Sequence, residues 1–225
     1  MKSGKPVSLL LIILLFNLCT SSGQKAIDEV TLTYTITVTS NNEKTDISRS
    51  FDGALLTVYL RGNQSRSDMS SSLGSESSLY DIRNSKGYIL KEYSGQKLMI
   101  TLNKENWKQK NQYYNNLNFI TDTGEEMIAG FRCKKATAVL PNGKNFIVYY
   151  TPELILSNNQ YNNSFTQLNG VPVQFELESG NLTFRYLLKK VNYDAIPSVK
   201  FDIPKGGYRI MTYEDNQQLK KGDKR

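Results

Sequence analysis

Apolar and polar residues alternate with a period of two along most of this chain, the spacing of a half-buried β-strand. In EVTLTYTITVT, residues 29 to 39, Val30, Leu32, Tyr34, Ile36 and Val38 share one face and threonines fill the other. ALLTVYLRG (54 to 62) repeats the pattern and leads through a Gly-Asn break into the polar stretch QSRSDMSSS. SSLYDIRNS, GYILKEYS and KLMITLN follow, divided by the turn signals SKG and SGQ. Further strands are predicted over 126–140, 144–151, 171–178 and 181–191, with a last segment through FDIPKGGYRIMTY. Short strands separated by regular turn signals predict a mainly β protein with a meandering antiparallel sheet.

Two stretches break the alternation. In NKENWKQKNQYYNNLNFI (103 to 120) Asn103 is placed to cap a short helix beginning at Lys104, with Trp107, Tyr113 and Tyr114 as its apolar contacts. LSNNQYNNSF (156 to 165) is rich in asparagine and reads as an exposed loop. Other strands are apolar on both faces: in NFIVYY, Phe146, Val148 and Tyr150 point one way, Ile147 and Tyr149 the other. Such strands need cover on both sides, from a helix and loops or from a ligand.

The hairpin around Asn142-Gly143 places the single cysteine that follows the N-terminal region. A two-residue turn there sets Val139 opposite Phe146, Thr137 opposite Val148, Lys135 opposite Tyr150 and Cys133 opposite Pro152. One face then carries Phe131, Cys133, Val139, Phe146, Val148 and Tyr150. Lys134 points away from Cys133, and Lys135 lies two residues along. In that company Cys133 reads as a small hydrophobe rather than a nucleophile.

The N-terminus changes the compartment. Lys2 and Lys5, an uncharged apolar run from Val7 to Phe16, and small polar residues after it have the layout of a secretory signal peptide over residues 1–23. Cys19 admits a second reading as a lipoprotein cysteine, but bulky Leu18 stands where a small residue is wanted, so Cys19 is expected to leave with the leader. Cleavage after Gly23 removes two lysines and no acid, which lowers the formal net charge from +7 to +5. One remaining cysteine makes no internal disulfide, so an exported chain must be stable on its core alone. Residues 24–215 are expected to form one β domain, and 216–225, with Lys220, Lys221, Lys224 and Arg225, a flexible basic tail.

Histidine is absent from all 225 residues. That removes the commonest general base, the usual zinc ligand and every histidine-activated nucleophile. Glu125 and Glu126 are adjacent, and so face apart on a strand. Glu176 and Glu178 share a face opposite Val173, Phe175 and Leu177, which reads as a solvated strand surface. No glycine-rich phosphate loop is present, PKGG at 204 to 207 being a turn signal. No enzyme activity, cofactor, metal site or nucleic-acid partner is expected.

The order of motifs in the C-terminal half carries a resemblance. EEMIAGFRCKKATAVLPNGKNFIVYYTPEL, then LNGVPVQFELESGNLTFRYLLKKV, then PSVKFDIPKGGYRIM resemble exported bacterial proteins with a lipoprotein-carrier-like (LolA/LppX-like) fold and the neighbouring GLPGLI proteins. The N-terminal half resembles them in strand order and in VYLRGNQSR. The resemblance implies a single strongly curved antiparallel sheet, an open half-barrel, with a short helix and loops as a lid across its hollow. It implies a non-enzymatic protein of the cell envelope, periplasmic or associated with the outer membrane, that binds a lipid or acyl chain. The expected contacts are Trp107, Phe131, Val139, Phe146, Val148, Tyr150 and Phe175, with Trp107 in the lid. The alternative expectation is an envelope interaction module that fills its own hollow and binds a protein partner.

Overall fold

The computed structural model describes residues 26–40, 46–110 and 112–222. The expected leader and Cys19 lie outside the described residues. In chain order the elements are β1 (Glu29–Ser40), α1 (Asp46–Phe51), β2 (Leu55–Arg61), β3 (Gln64–Ser71), β4 (Gly74–Asp81), β5 (Lys86–Tyr93), β6 (Gln96–Leu102) and α2 (Lys104–Gln109). Then come β7 (Ile120–Ile128), β8 (Phe131–Val139), β9 (Asn145–Thr151), β10 (Val171–Ser179), β11 (Leu182–Asn192), β12 (Arg209–Thr212) and α3 (Tyr213–Gly222).

The twelve strands form one sheet in the order β12-β6-β5-β4-β3-β2-β1-β11-β10-β9-β8-β7. β12 and β7 are its two separate edges, so the sheet is an open half-barrel and not a closed barrel. Two meanders, β2 to β6 and β7 to β11, are joined through the central strand β1, which pairs with β2 on one side and β11 on the other. All neighbours run antiparallel except β12, which lies parallel to β6. The chain between β11 and β12 reaches that far edge by crossing the outer face. There Ile203 and Tyr208 pack on Leu79, Leu90 and Met99, the Tyr208 hydroxyl donates to Glu92, and Arg66 Nη1 donates to the Lys200 carbonyl at 2.9 Å.

The inner face follows the alternation. Val30, Leu32, Tyr34, Ile36 and Val38 of β1 are all buried, as expected. The main core joins Val30, Leu32 and Tyr34 to Val58 and Leu60 of β2, Val148 and Tyr150 of β9, and Phe175 of β10. α1, which the pattern did not reveal, packs beside Ile36 and Val38 through Phe51. At the entry to β10 a Cβ on Gly170 would lie 2.3 Å from the Thr151 carbonyl oxygen, so the close approach of β9 and β10 requires glycine in the Gly-Val-Pro sequence.

Four expectations are corrected. First, the β8–β9 hairpin is closed by a three-residue loop, Pro141-Asn142-Gly143. The Leu140 amide donates to the Lys144 carbonyl at 2.9 Å and Gly143 sits at φ +82°, the type I turn with a left-handed third residue that hairpins of this length adopt. The register moves by one, pairing Ala138 with Phe146, Ala136 with Val148 and Lys134 with Tyr150. A one-residue slip exchanges the faces: Ala136 and Ala138 turn inward, and Val139 faces out, 64% exposed. Second, 126–140 is not one strand, because Ala129 and Gly130, both at positive φ, turn the chain between β7 and β8. Third, 216–222 is not a frayed tail but the continuation of α3, with Asn216 buried. Fourth, the asparagine-rich loop is not simply exposed: it forms two 3-10 turns, Asn159–Tyr161 and Asn163–Phe165, and buries Ser164 and Phe165.

Candidate functional site

Two segments lie across the inner face. The first is α2 and the chain after it. Asn103 caps α2 reciprocally, its side chain accepting from the Asn106 amide at 2.8 Å and Asn106 Oδ1 accepting from the Asn103 amide at 3.1 Å. The second is the pair of 3-10 turns between β9 and β10. Trp107 links them: its indole Nε1 donates to the Gln160 carbonyl at 3.2 Å, and its own carbonyl accepts from Asn163 Nδ2 at 2.9 Å. Its ring stacks on Tyr80 of β4, centroids 4.4 Å apart and planes within 1°. The lid is thus fixed to the sheet at β4 and to itself at Gln160 and Asn163.

Beneath it lies a cavity of about 270 Å³. It is lined from six adjacent strands, β4, β3, β2, β1, β11 and β10. Strands lie about 4.8 Å apart, so in a flat sheet β4 and β10 would be roughly 24 Å apart. That both line one small cavity is a direct measure of how sharply the sheet curls. One end of the lining is apolar: Val58, Leu56, Tyr34, Phe175 and Tyr186, with Phe165 from the lid. The other end is polar: Ser67 of β3, Glu76 and Ser78 of β4, and Lys110 at the C-cap of α2.

Lys110 is the distinctive group. Its Nζ donates to Ser78 Oγ at 2.7 Å and lies 4.8 Å from the centroid of the Trp107 ring. It forms no ion pair among the described residues. Burial lowers its pKa from the usual lysine range to about 8, the opposing attraction of Glu76 being smaller. Glu76 Oε2 is already held by Lys91 Nζ at 3.0 Å. Burial also raises the phenol pKa of Tyr34 and Tyr161, and that of Tyr186 to about 12. Those rings stay neutral, and the Tyr34 hydroxyl donates to the Pro172 carbonyl at 2.9 Å.

Of the seven expected contact residues, only Trp107 and Phe175 line this cavity. Phe146 is covered by Tyr114, Phe119 and Phe165, and Val148 and Tyr150 are buried in the main core. Phe131 packs at the edge of that core, and Val139 is on the opposite face. Cys133 is fully buried among apolar groups, its thiol donating to the Phe131 carbonyl at 3.4 Å, and burial raises its pKa to about 11. Glu176 pairs with Arg185 Nε at 2.7 Å and Glu178 with Lys144 Nζ at 3.0 Å, both on the surface. Ser67, Glu76, Ser78 and Lys110 escaped the sequence reading. The signal for the first three was polar side chains on inward positions of QSRSDMSSS and SESSLYD, in strands flanked by apolar ones.

The fold and site define a class: an open half-barrel of one sheet whose hollow is roofed by a lid and retains an amphipathic cavity. No protein-family model matches the chain, and no curated protein matches it. Among solved structures it is similar to PNGF-II (TM-score 0.49, 11% identity, covering 85% of this chain and 33% of that one). It is also similar to a LolA superfamily protein from Nitrosomonas europaea (TM-score 0.38, 11% identity, covering 80% and 92%) and to a β-barrel-like protein of a domain of unknown function, DUF1849, from Brucella abortus (TM-score 0.38, 9% identity, covering 76% and 99%). The chain spans about a third of the length of PNGF-II.

Proposed function

We propose that this protein is a non-enzymatic binder of a hydrophobic ligand, which it holds in the hollow of the half-barrel beneath the Trp107 lid. The single observation that carries the reading is the cavity itself. Tyr34, Leu56, Val58, Phe165, Phe175 and Tyr186 surround space of about 270 Å³ that the chain leaves unfilled, although neighbouring parts of the same face are packed with aromatic rings. Ligand sites are concave, mostly apolar and supplied with a few convergent polar groups, and this one has that composition. Its size lies just below the roughly 300–1,000 Å³ of sites for drug-sized ligands, which favours one acyl chain or a similarly slender molecule over a lipid with several chains. At ~25 cal/mol per Å² of apolar surface, enclosing such a chain gives several kcal/mol, enough for capture and compatible with release. The leader-like residues 1–23 support an envelope location.

Lipid extraction and native mass spectrometry of protein purified from its own source test the reading, with a bound apolar molecule as the expected result. Trp107 is the chain's one tryptophan and lines the cavity, so its fluorescence reports filling without a label. Protein that emerges empty and shows no change in Trp107 emission with any medium-chain amphiphile sinks the proposal.

A second reading, a protein-interaction module, is favoured by β7. This edge strand is exposed along nearly its whole length, with Ile120 75% and Met127 67% exposed, and a free strand edge is a template for an added strand.

A further inference from the structure

The cavity has two chemically different ends, and the difference selects a ligand. Resting on the reading of the hollow as a ligand site, we infer that the cavity takes a single-chain carboxylate amphiphile, with its chain between β1, β2, β10 and β11 and its head group at Lys110 and Ser78.

The argument starts from the charges. Three ionisable groups stand at the polar end: Lys110, Lys91 and Glu76. Lys91 and Glu76 neutralise each other at 3.0 Å, which leaves one positive charge, on Lys110, whose Nζ has as its only hydrogen-bond partner among the described residues the neutral hydroxyl of Ser78. An ammonium withdrawn from water without a counter-charge is costly, and proteins ordinarily pair or expose it. Here it has instead the face of Trp107 and a hydroxyl, and it borders a cavity whose remaining lining mixes apolar side chains with the neutral amides of Asn115, Asn162 and Asn163, none of which supplies a counter-charge. One monoanion arriving there completes the charge balance. A dianionic head is disfavoured, because Glu76 lines the same cavity. A neutral head leaves the ammonium unpaired.

The geometry fits the chemistry. Lys110 Nζ has two further N–H groups beyond the one given to Ser78, and Ser67 lines the same end. Charge-assisted hydrogen bonds of this kind are shorter and stronger than neutral ones. The titratable groups around Lys110 are Glu76 and Lys91 from β4 and β5, paired with each other, and the neutral phenols of Tyr34, Tyr161 and Tyr186 from β1, the lid and β11. Lys110 is therefore the group expected to make ligand affinity change between pH 7 and pH 10. Trp107, stacked on Tyr80 and beside the ammonium, couples lid position to occupancy.

The test compares decanoate with 1-decanol, which share a chain and differ in the head, by titration against Trp107 fluorescence. The readout is the acid-to-alcohol affinity ratio in the wild type at pH 7 and pH 10 and in Lys110→Met at pH 7. The expected result is a ratio that falls about tenfold in Lys110→Met and about tenfold on raising the pH, a loss of one charge-assisted hydrogen bond. 1-Decanol should still bind in both cases, with a smaller change than decanoate shows, which reports an intact cavity and removes misfolding as an explanation. If both probes bind and the ratio is the same in all three conditions, the assignment of Lys110 is overturned and the hydrophobic cavity stands. If neither probe binds the wild type, the cavity reading itself is overturned.

Discussion

Replacing Trp107 measures how firmly the lid is held to the sheet. A buried aromatic side chain removes about 150–250 Å² from water, and at ~25 cal/mol per Å² the upper bound is about 4–6 kcal/mol. The parallel stack on Tyr80 adds about 0.5–1.5 kcal/mol, and the indole hydrogen bond to the Gln160 carbonyl about 1 kcal/mol. Truncations of buried tryptophan cost about 3–5 kcal/mol in practice. Trp107 is buried in a small cluster with Tyr80, Ile89, Ile100 and Leu102, separate from the main core, so Trp107→Ala is expected at the low end of that range, near ~3 kcal/mol. Trp107→Phe keeps an aromatic ring over Tyr80 and loses the donor to Gln160, for an expected cost of about 1–2 kcal/mol. Urea unfolding followed by far-ultraviolet circular dichroism gives both values, and hydrogen exchange at residues 159–165 locates the loss. A cost below about 1 kcal/mol for Trp107→Ala, or equal costs for the two variants, refutes the reasoning.

Three further outcomes follow from particular contacts. Val139→Thr should change stability by less than about 0.5 kcal/mol, because Val139 is exposed, whereas Ala138→Leu overpacks a buried position and should cost about 1–3 kcal/mol; thermal unfolding of the pair reads out the hairpin register. Cys133 should resist iodoacetamide at pH 8 in the folded protein and react once urea unfolds it, since its thiol is buried and its pKa raised to about 11. The same shift makes the thiol's contribution to stability fully present below pH 9 and lost as pH rises towards 11. Lys110→Met should stabilise the ligand-free protein at pH 7 by about 1–3 kcal/mol, because the folded-state pKa of about 8 lies below the unfolded value and a cost persists wherever the lysine must stay charged. The advantage should shrink as pH rises from 8 towards 10.5, read from urea midpoints across that range.

Much of this fold was legible in the sequence because the cues are local. Alternation in EVTLTYTITVT placed β1 and its buried face, and Asn103 announced α2. The polar β3 was passed over as a strand, since its serines and Met69 gave no apolar stripe; it is held by seven paired positions against β2 and by β4 on its other side. FDIPKGGYRIMTY was expected as a last strand segment, yet only Arg209–Thr212 of it is strand, and the part before crosses the outer face and lets β12 join β6 in parallel. The cavity was legible only in part. Trp107 and Phe175 were identified, but Phe146, Val148 and Tyr150 found their neighbours within the chain.

The sequence by itself determined that the chain makes many short strands with one buried face, and a capped turn of helix at Lys104. These depend on side-chain periodicity and capping, which act over a few residues. Only the tertiary structure decided which hydrophobic positions face the hollow, because a loop of three residues instead of two turns Ala136 and Ala138 inward and Val139 outward, while Cys133 stays in the core. It alone brought Lys110 to Ser78, 32 residues earlier in the chain. That meeting depends on the curl of the whole sheet and on a lid that crosses it, and no local pattern encodes either.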